Sequence, residues 1–184
     1  YLNTKVIEVG KAGVTVERDG KTTVLEADKI LVSVGRKANI GQVGLDKLNI
    51  ELHRSGVKVN EHMQTSHPHV YACGDITGHS MLAHTAIRES EVAINHILGV
   101  EDKMNYDYIP GVVYTNPELA GVGKTEEELI AGGVSYRVQK LPMVYSGRFI
   151  AENELGNGLC KLILDEDEHI IGCHLLGNPA SELI

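Results

Sequence analysis

Polar and apolar positions alternate with a period of two along "GVTVERDGKTTVLE": Val14 and Val16 face one way, Thr15 and Glu17 the other. That period predicts strands, and Asp19-Gly20 between them is the pair a tight hairpin turn prefers. "KILVSVG", Lys29 to Gly35, is almost continuously apolar and predicts a strand covered on both faces. Residues 36–64 are looser; "GLDKLNIEL" predicts a short turn and "SGVKVN" a short strand. "VYACGD" predicts a second buried strand, halted at Gly74. The period then lengthens. Leu82, Ala83, Ala86, Ile87, Ser90, Ala93, Ile94, Ile97 and Leu98 recur at helical spacing, with Gly99 where a C-cap belongs. Residues 101–108 are polar and read as a connector.

Beyond residue 108 the pattern changes. "GVVYT", "ELAGVG", "SYRVQKLP", "GLCKLIL" and "HIIGCHLLG" all predict strands. Thr125 and Glu128 make a T-x-x-E capping box for a short helix closed by Gly132-Gly133. Asp165 to Glu168 is an acidic turn on a solvated loop. Asn178 as N-cap and Pro179 as first helical residue predict a last helix. No C-cap follows before Ile184, and the chain opens on Tyr1, so the expectation is a piece of a longer protein. Strands joined by hairpins, with a helix before them and another at the end, predict an antiparallel α+β layer following an α/β segment.

Composition narrows the classes. Of 184 residues 42% are apolar, enough for a packed core. No apolar run approaches the ~18 residues of a membrane span. A net charge of −8 argues against a nucleic-acid groove or an anionic membrane as the main partner. Cys73, Cys160 and Cys173 are odd in number, with no CxxC or CxxxxC pair. They read as small apolar residues on strands, in a reducing cytoplasm. The N-terminal residues carry no signal-peptide pattern.

The chemistry concentrates in "YACGDITGHSMLAH", Tyr71 to His84. A strand ending at Gly74 delivers Asp75 to the sheet edge where ligands bind in open α/β sheets. A carboxylate there accepts hydrogen bonds from sugar or polyol hydroxyls. Ser80 is placed to cap the next helix, leaving N–H groups near Met81 to His84 to stabilise partial negative charge on a ligand. The same residues read equally as a plain turn aspartate before an amphipathic helix. His67-x-His69 and His79 with His84 form one loose set, short of the paired spacing of a zinc site, so no metal is expected. Cys73 has no basic neighbour and is not read as a nucleophile.

These motifs carry a resemblance. "TSHPHVYACGD" resembles the T-x(n)-YAxGD flavin motif of the pyridine nucleotide–disulfide oxidoreductases. "VSVGRKAN", Val32 to Asn39, is similar to the V-x-x-GRxPN segment joining their nicotinamide and central domains. "MLAHTA", "GVVYTNPELAGVGKTEEEL" and "GCHLLGNPASELI" resemble the helix start, the dimerisation-domain opening and a later segment of the dihydrolipoyl dehydrogenase branch. Glutathione reductases, with a threonine-proline pair at the helix start, are less similar.

The resemblance implies the end of an NAD-binding domain over 1–35, a central FAD-contacting segment over 36–105, and an antiparallel-sheet dimerisation domain with flanking helices over 106–184. It implies that Asp75 binds the ribityl hydroxyls of FAD and that Met81, Leu82, Ala83 and His84 face the flavin pyrimidine edge. Gly35 is implied to meet NAD through its backbone. Implied partners are a second copy and the lipoyl domain of a 2-oxoacid dehydrogenase or glycine cleavage complex; nucleic acid and membrane are not. The implied activity is oxidation of protein-bound dihydrolipoamide, with reduction of NAD+. A mercuric, glutathione or soluble pyridine nucleotide reductase and a non-catalytic dimerisation module are the alternatives. Departures are plain: Ala38 stands where the family has Pro, and the usual Glu-Gly is not reproduced at Arg88-Glu89-Ser90-Glu91. GxGxxG loops, the redox CxxxxC pair and the C-terminal His-Pro with its Glu are absent, so no catalytic residue is assigned in this chain.

Overall fold

The computed structural model describes residues 1–41, 43–153 and 156–184, in two compact units, Tyr1–Lys37 and Ala38–Ile184. The first is an antiparallel meander of β1 (Lys5–Gly10), β2 (Gly13–Arg18) and β3 (Lys21–Leu25). Arg18 pairs with Lys21 across Asp19-Gly20, whose φ angles are 51° and 72°. Two positive angles make a type I′ turn, whose twist matches that of the strands it joins. The buried strand predicted over Lys29–Gly35 does not form. Leu31 and Val34 are 92% and 89% exposed. A strand exists through its ladder, and no described segment pairs with this one.

The second unit opens with loops and a short 3₁₀ turn at Leu45–Leu48. "SGVKVN" and "VYACGD", both expected as strands, contribute only single bridges, Leu52 to Val57 and Gln64 to Tyr71. Here, unlike in Lys29–Gly35, the apolar residues find cover without a neighbouring strand. Ile50, Val57 and Ala72 form one core cluster, and Met63, Val92, Ala93 and Met104 another. Helix α1 (Ala83–Ile97) lays Thr85, Glu89, Val92 and Ala93 inward along one stripe. Its far end is anchored by Asp102, which accepts from Arg88 through two nitrogens and from Asn95 Nδ2 at 2.8 Å.

The rest is the antiparallel layer expected. β4 (Gly111–Val113), β5 (Leu119–Gly123), α2 (Glu126–Gly132), β6 (Arg137–Pro142), α3 (Gly147–Glu152), β7 (Leu159–Leu164) and β8 (Ile170–Leu176) follow in order. The sheet runs β4-β5-β8-β7-β6. The capping box of α2 is complete: Glu128 N–H donates to Thr125 Oγ1, and Thr125 N–H to Glu128 Oε2. Gly133 then closes the helix in the left-handed region. Helix α3 escaped the sequence reading; Ser146 Oγ caps it by accepting from Phe149 N–H, and Phe149 is buried. The last helix, α4 (Ala180–Leu183), starts one residue later than predicted, with Pro179 at the N-cap. Ala180 packs into the cluster of Ala120 and Leu175 on the sheet.

Candidate functional site

In the second unit, the chain from Tyr71 to Thr85 leaves the core, turns and enters α1. Asp75 is not delivered by a strand end. It sits in a 3₁₀ turn, Gly74–Thr77, that begins at Gly74 with φ 79°. An L side chain is strained at that angle, and a Cβ there would lie 3.3 Å from the Cβ of Ala86 in α1. Thr77, fully buried, donates from Oγ1 to the Gly74 carbonyl at 2.9 Å. Gly78 follows; a Cβ on it would meet the Ser55 carbonyl oxygen at 2.5 Å, so the 53–57 loop backs the turn directly. Val57 N–H donates to the Ile76 carbonyl at 2.9 Å. Within this frame the Asp75 side chain is exposed, and no donor among the described residues engages its carboxylate.

Helix α1 begins immediately after. Its N-cap is Leu82, with φ −126° and ψ 139° and no side-chain cap. Ser80 is therefore not the cap expected: its Oγ pairs with Thr85 Oγ1 at 2.9 Å. The first turn carries no acidic residue. The N–H groups at the helix start thus lack a side-chain acceptor, and the helix dipole adds to them. Leu82, Ala83 and His84 are exposed and Met81 is half-buried. His84 donates from Nε2 to the Pro110 carbonyl at 2.8 Å, tying the helix start to the chain before β4. The turn and helix start bring Asp75, Met81, Leu82, Ala83 and His84 into one short stretch of the second unit. Gly35 belongs to the first unit, at φ 103° with open space around it.

Sequence reasoning missed the group beneath the turn. Glu89 is 0% exposed. Its Oε2 accepts from Gly74 N–H, and its Oε1 accepts from Tyr106 O–H at 2.7 Å. Burial, and then the Glu89 hydrogen bond, push the Tyr106 phenol well above its ordinary value. Helical spacing pointed elsewhere: it placed Ile87, Ile94, Ile97 and Leu98 on the inward face, yet these are exposed, and the helix buries the stripe of Thr85, Glu89 and Val92 instead.

The remaining candidates take structural roles. Burial raises the Cys73 thiol, against a smaller lowering by Ser90, so its thiolate is scarce. His79 lies between the rings of His53 and Tyr106, with centroids 5.3 and 5.4 Å away. Among the described residues no three His, Cys, Asp or Glu side chains gather as a metal site would require.

Two family models match the chain: pyridine nucleotide-disulphide oxidoreductase over residues 1–90, and the dimerisation domain of the same family over residues 109–184. The chain belongs to the pyridine nucleotide-disulphide oxidoreductase family. It is 41% identical over 191 residues to the mitochondrial dihydrolipoyl dehydrogenase of Pisum sativum, covering 100% of this chain and 38% of that protein. The leghemoglobin reductase of Glycine max is 41% identical over 191 residues, 100% of this chain and 36% of that one. The crystal structure of LpdA from Mycobacterium tuberculosis matches with a TM-score of 0.82 and 30% identity, over 99% of this chain and 40% of that chain. The chain thus spans about 40% of the length of such relatives. In a member of this family, an exposed carboxylate beside an uncapped helix start offers one acceptor for hydroxyls and one set of donors for a partly negative ring. Both features lie within residues 75–84.

Proposed function

We propose that the full-length protein carrying this chain is a dihydrolipoyl dehydrogenase, a homodimeric FAD enzyme that oxidises protein-bound dihydrolipoamide and reduces NAD+. The observation that carries this reading is the exposed, unpartnered Asp75 carboxylate beside the uncapped start of α1. It occurs in a chain 41% identical along its whole length to a dihydrolipoyl dehydrogenase. Asp75 accepts hydrogen bonds from the ribityl hydroxyls. The N–H groups from Met81 to His84 stabilise negative charge at the flavin pyrimidine edge. Gly35 meets NAD through its backbone. FAD, when bound, supplies two-electron transfer between a thiol pair and a nicotinamide. The thiol pair and the acid–base pair come from outside these residues, and this chain binds and orients.

The division that follows is the end of an NAD-binding domain (1–35), a central FAD-contacting segment (36–105) and a dimerisation domain (106–184). The partners are a second copy through the last of these and a lipoyl domain of a 2-oxoacid dehydrogenase or glycine cleavage complex. The three free cysteines suit a reducing compartment, the cytoplasm or an organelle matrix. No helix among the described residues is long and apolar enough to cross a membrane.

The test is a substrate comparison on the purified full-length protein. Dihydrolipoamide with NAD+ is expected to give NADH at a rate far above any reduction of glutathione disulfide or mercuric ion with NADPH. The reverse order would assign a different reductase of the family.

A further inference from the structure

Glu89 is an expensive residue where it stands. It is fully buried, and among the described residues it forms no ion pair and its carboxylate is met by two donors, Gly74 N–H and Tyr106 O–H. A buried carboxylate without a cation is costly to keep, so an apolar side chain would serve packing better. What it holds in return is the first residue of the turn that carries Asp75.

The contact is one link in a closed circuit. Tyr106, fixed by Glu89, lies with its ring 5.4 Å from that of His79, and His79 lies 5.3 Å from His53. His53 donates from Nε2 to the Thr77 carbonyl at 2.9 Å, while its Nδ1 accepts from Ser55 N–H at 3.2 Å. Thr77 Oγ1 returns to the Gly74 carbonyl at 2.9 Å. The circuit grips both ends of the 3₁₀ turn, Gly74 through its N–H and Thr77 through its carbonyl. The Asp75 carboxylate is left free above it.

We propose that Glu89 is a positioning residue for the flavin: by accepting from Gly74 N–H and Tyr106 O–H together, it fixes the backbone that presents Asp75. The proposal rests on the reading of Asp75 as the ribityl acceptor. A carboxylate suits the task because both of its oxygens accept, whereas glutamine offers one acceptor and sets an NH₂ against one of the two donors.

The experiment is a double-mutant cycle on FAD affinity in the full-length protein, with Asp75→Asn, Glu89→Gln and the pair. Glu89→Gln alone is expected to weaken FAD binding about tenfold, as loss of a buried charged hydrogen bond does. In the Asp75→Asn background the same change is expected to cost less than about twofold, since the group it positions is gone. Tyr106→Phe keeps the carboxylate and removes one donor; it is expected to act in the same direction and carries the cycle if Glu89→Gln does not fold. Equal losses in both backgrounds would make Glu89 a purely structural residue and overturn the proposal. So would unchanged affinity in Glu89→Gln while Asp75→Asn binds weakly. Unchanged affinity in Asp75→Asn would instead remove the flavin reading on which the proposal rests.

Discussion

At the scale of single residues, the stretch from Tyr71 to His84 divides its work in a way its composition conceals. The cysteine and histidines are the conspicuous groups, yet Cys73 is half-buried with its thiol pushed up by burial, and His84 is spent on the Pro110 carbonyl. Among the described residues no donor engages the exposed Asp75 carboxylate. Native full-length protein treated with iodoacetamide at neutral pH is therefore expected to label Cys73 more slowly than free cysteine, by mass spectrometry of its peptide. Faster labelling would mean a stabilised thiolate, contrary to the burial that raises the Cys73 thiol.

At the scale of elements, stability is local chemistry that can be removed piece by piece. The α2 capping box satisfies two backbone donors, and Glu128 is held below the usual carboxylate range chiefly by the Thr125 N–H. Thr125→Ala is expected to cost about 1 kcal/mol in denaturant unfolding. The anchor of α1 adds a pH dependence. Asp102 is lowered from 3.8 to about 2, first by the Arg88 hydrogen bond and then by Asn95. A depressed carboxyl contributes stability that is fully present above its ordinary value and lost as pH falls through its folded value. Wild type is thus expected to melt higher than Asp102→Asn at pH values above about 4, with the gap closing as pH falls towards about 2. A gap that stays constant over that range would show that the pair contributes no charge term.

What was legible in the sequence at this scale follows the same logic. Asp19-Gly20, Thr125-x-x-Glu128 and the strands of the second sheet carry their signals within a few residues, and each formed where expected. Lys29–Gly35 and Val70–Asp75 carry strand composition, but a strand needs a pairing neighbour, which local pattern cannot supply. Glu89 was illegible for a related reason. Its burial is set by Gly74 and Tyr106, distant in sequence, and the apolar spacing of α1 places it off the expected inward face.

At the scale of the whole molecule, the proposal gives these 184 residues part of a flavin site, while the sequence carries no CxxxxC pair for the thiol chemistry. The chain produced alone is expected to form no NADH from dihydrolipoamide and to lose FAD on gel filtration; NADH formation by the pure chain would show that it is catalytically self-sufficient. The central claim is that Asp75 and the start of α1 seat the flavin, and titration of FAD into full-length apoprotein tests it most directly. Asp75→Ala, a change at an exposed residue, is expected to leave the melting temperature of the apoprotein unchanged while weakening FAD binding about tenfold or more, the cost of a lost hydrogen bond to a charged group. An Asp75→Ala protein that binds FAD as tightly as wild type would contradict the account.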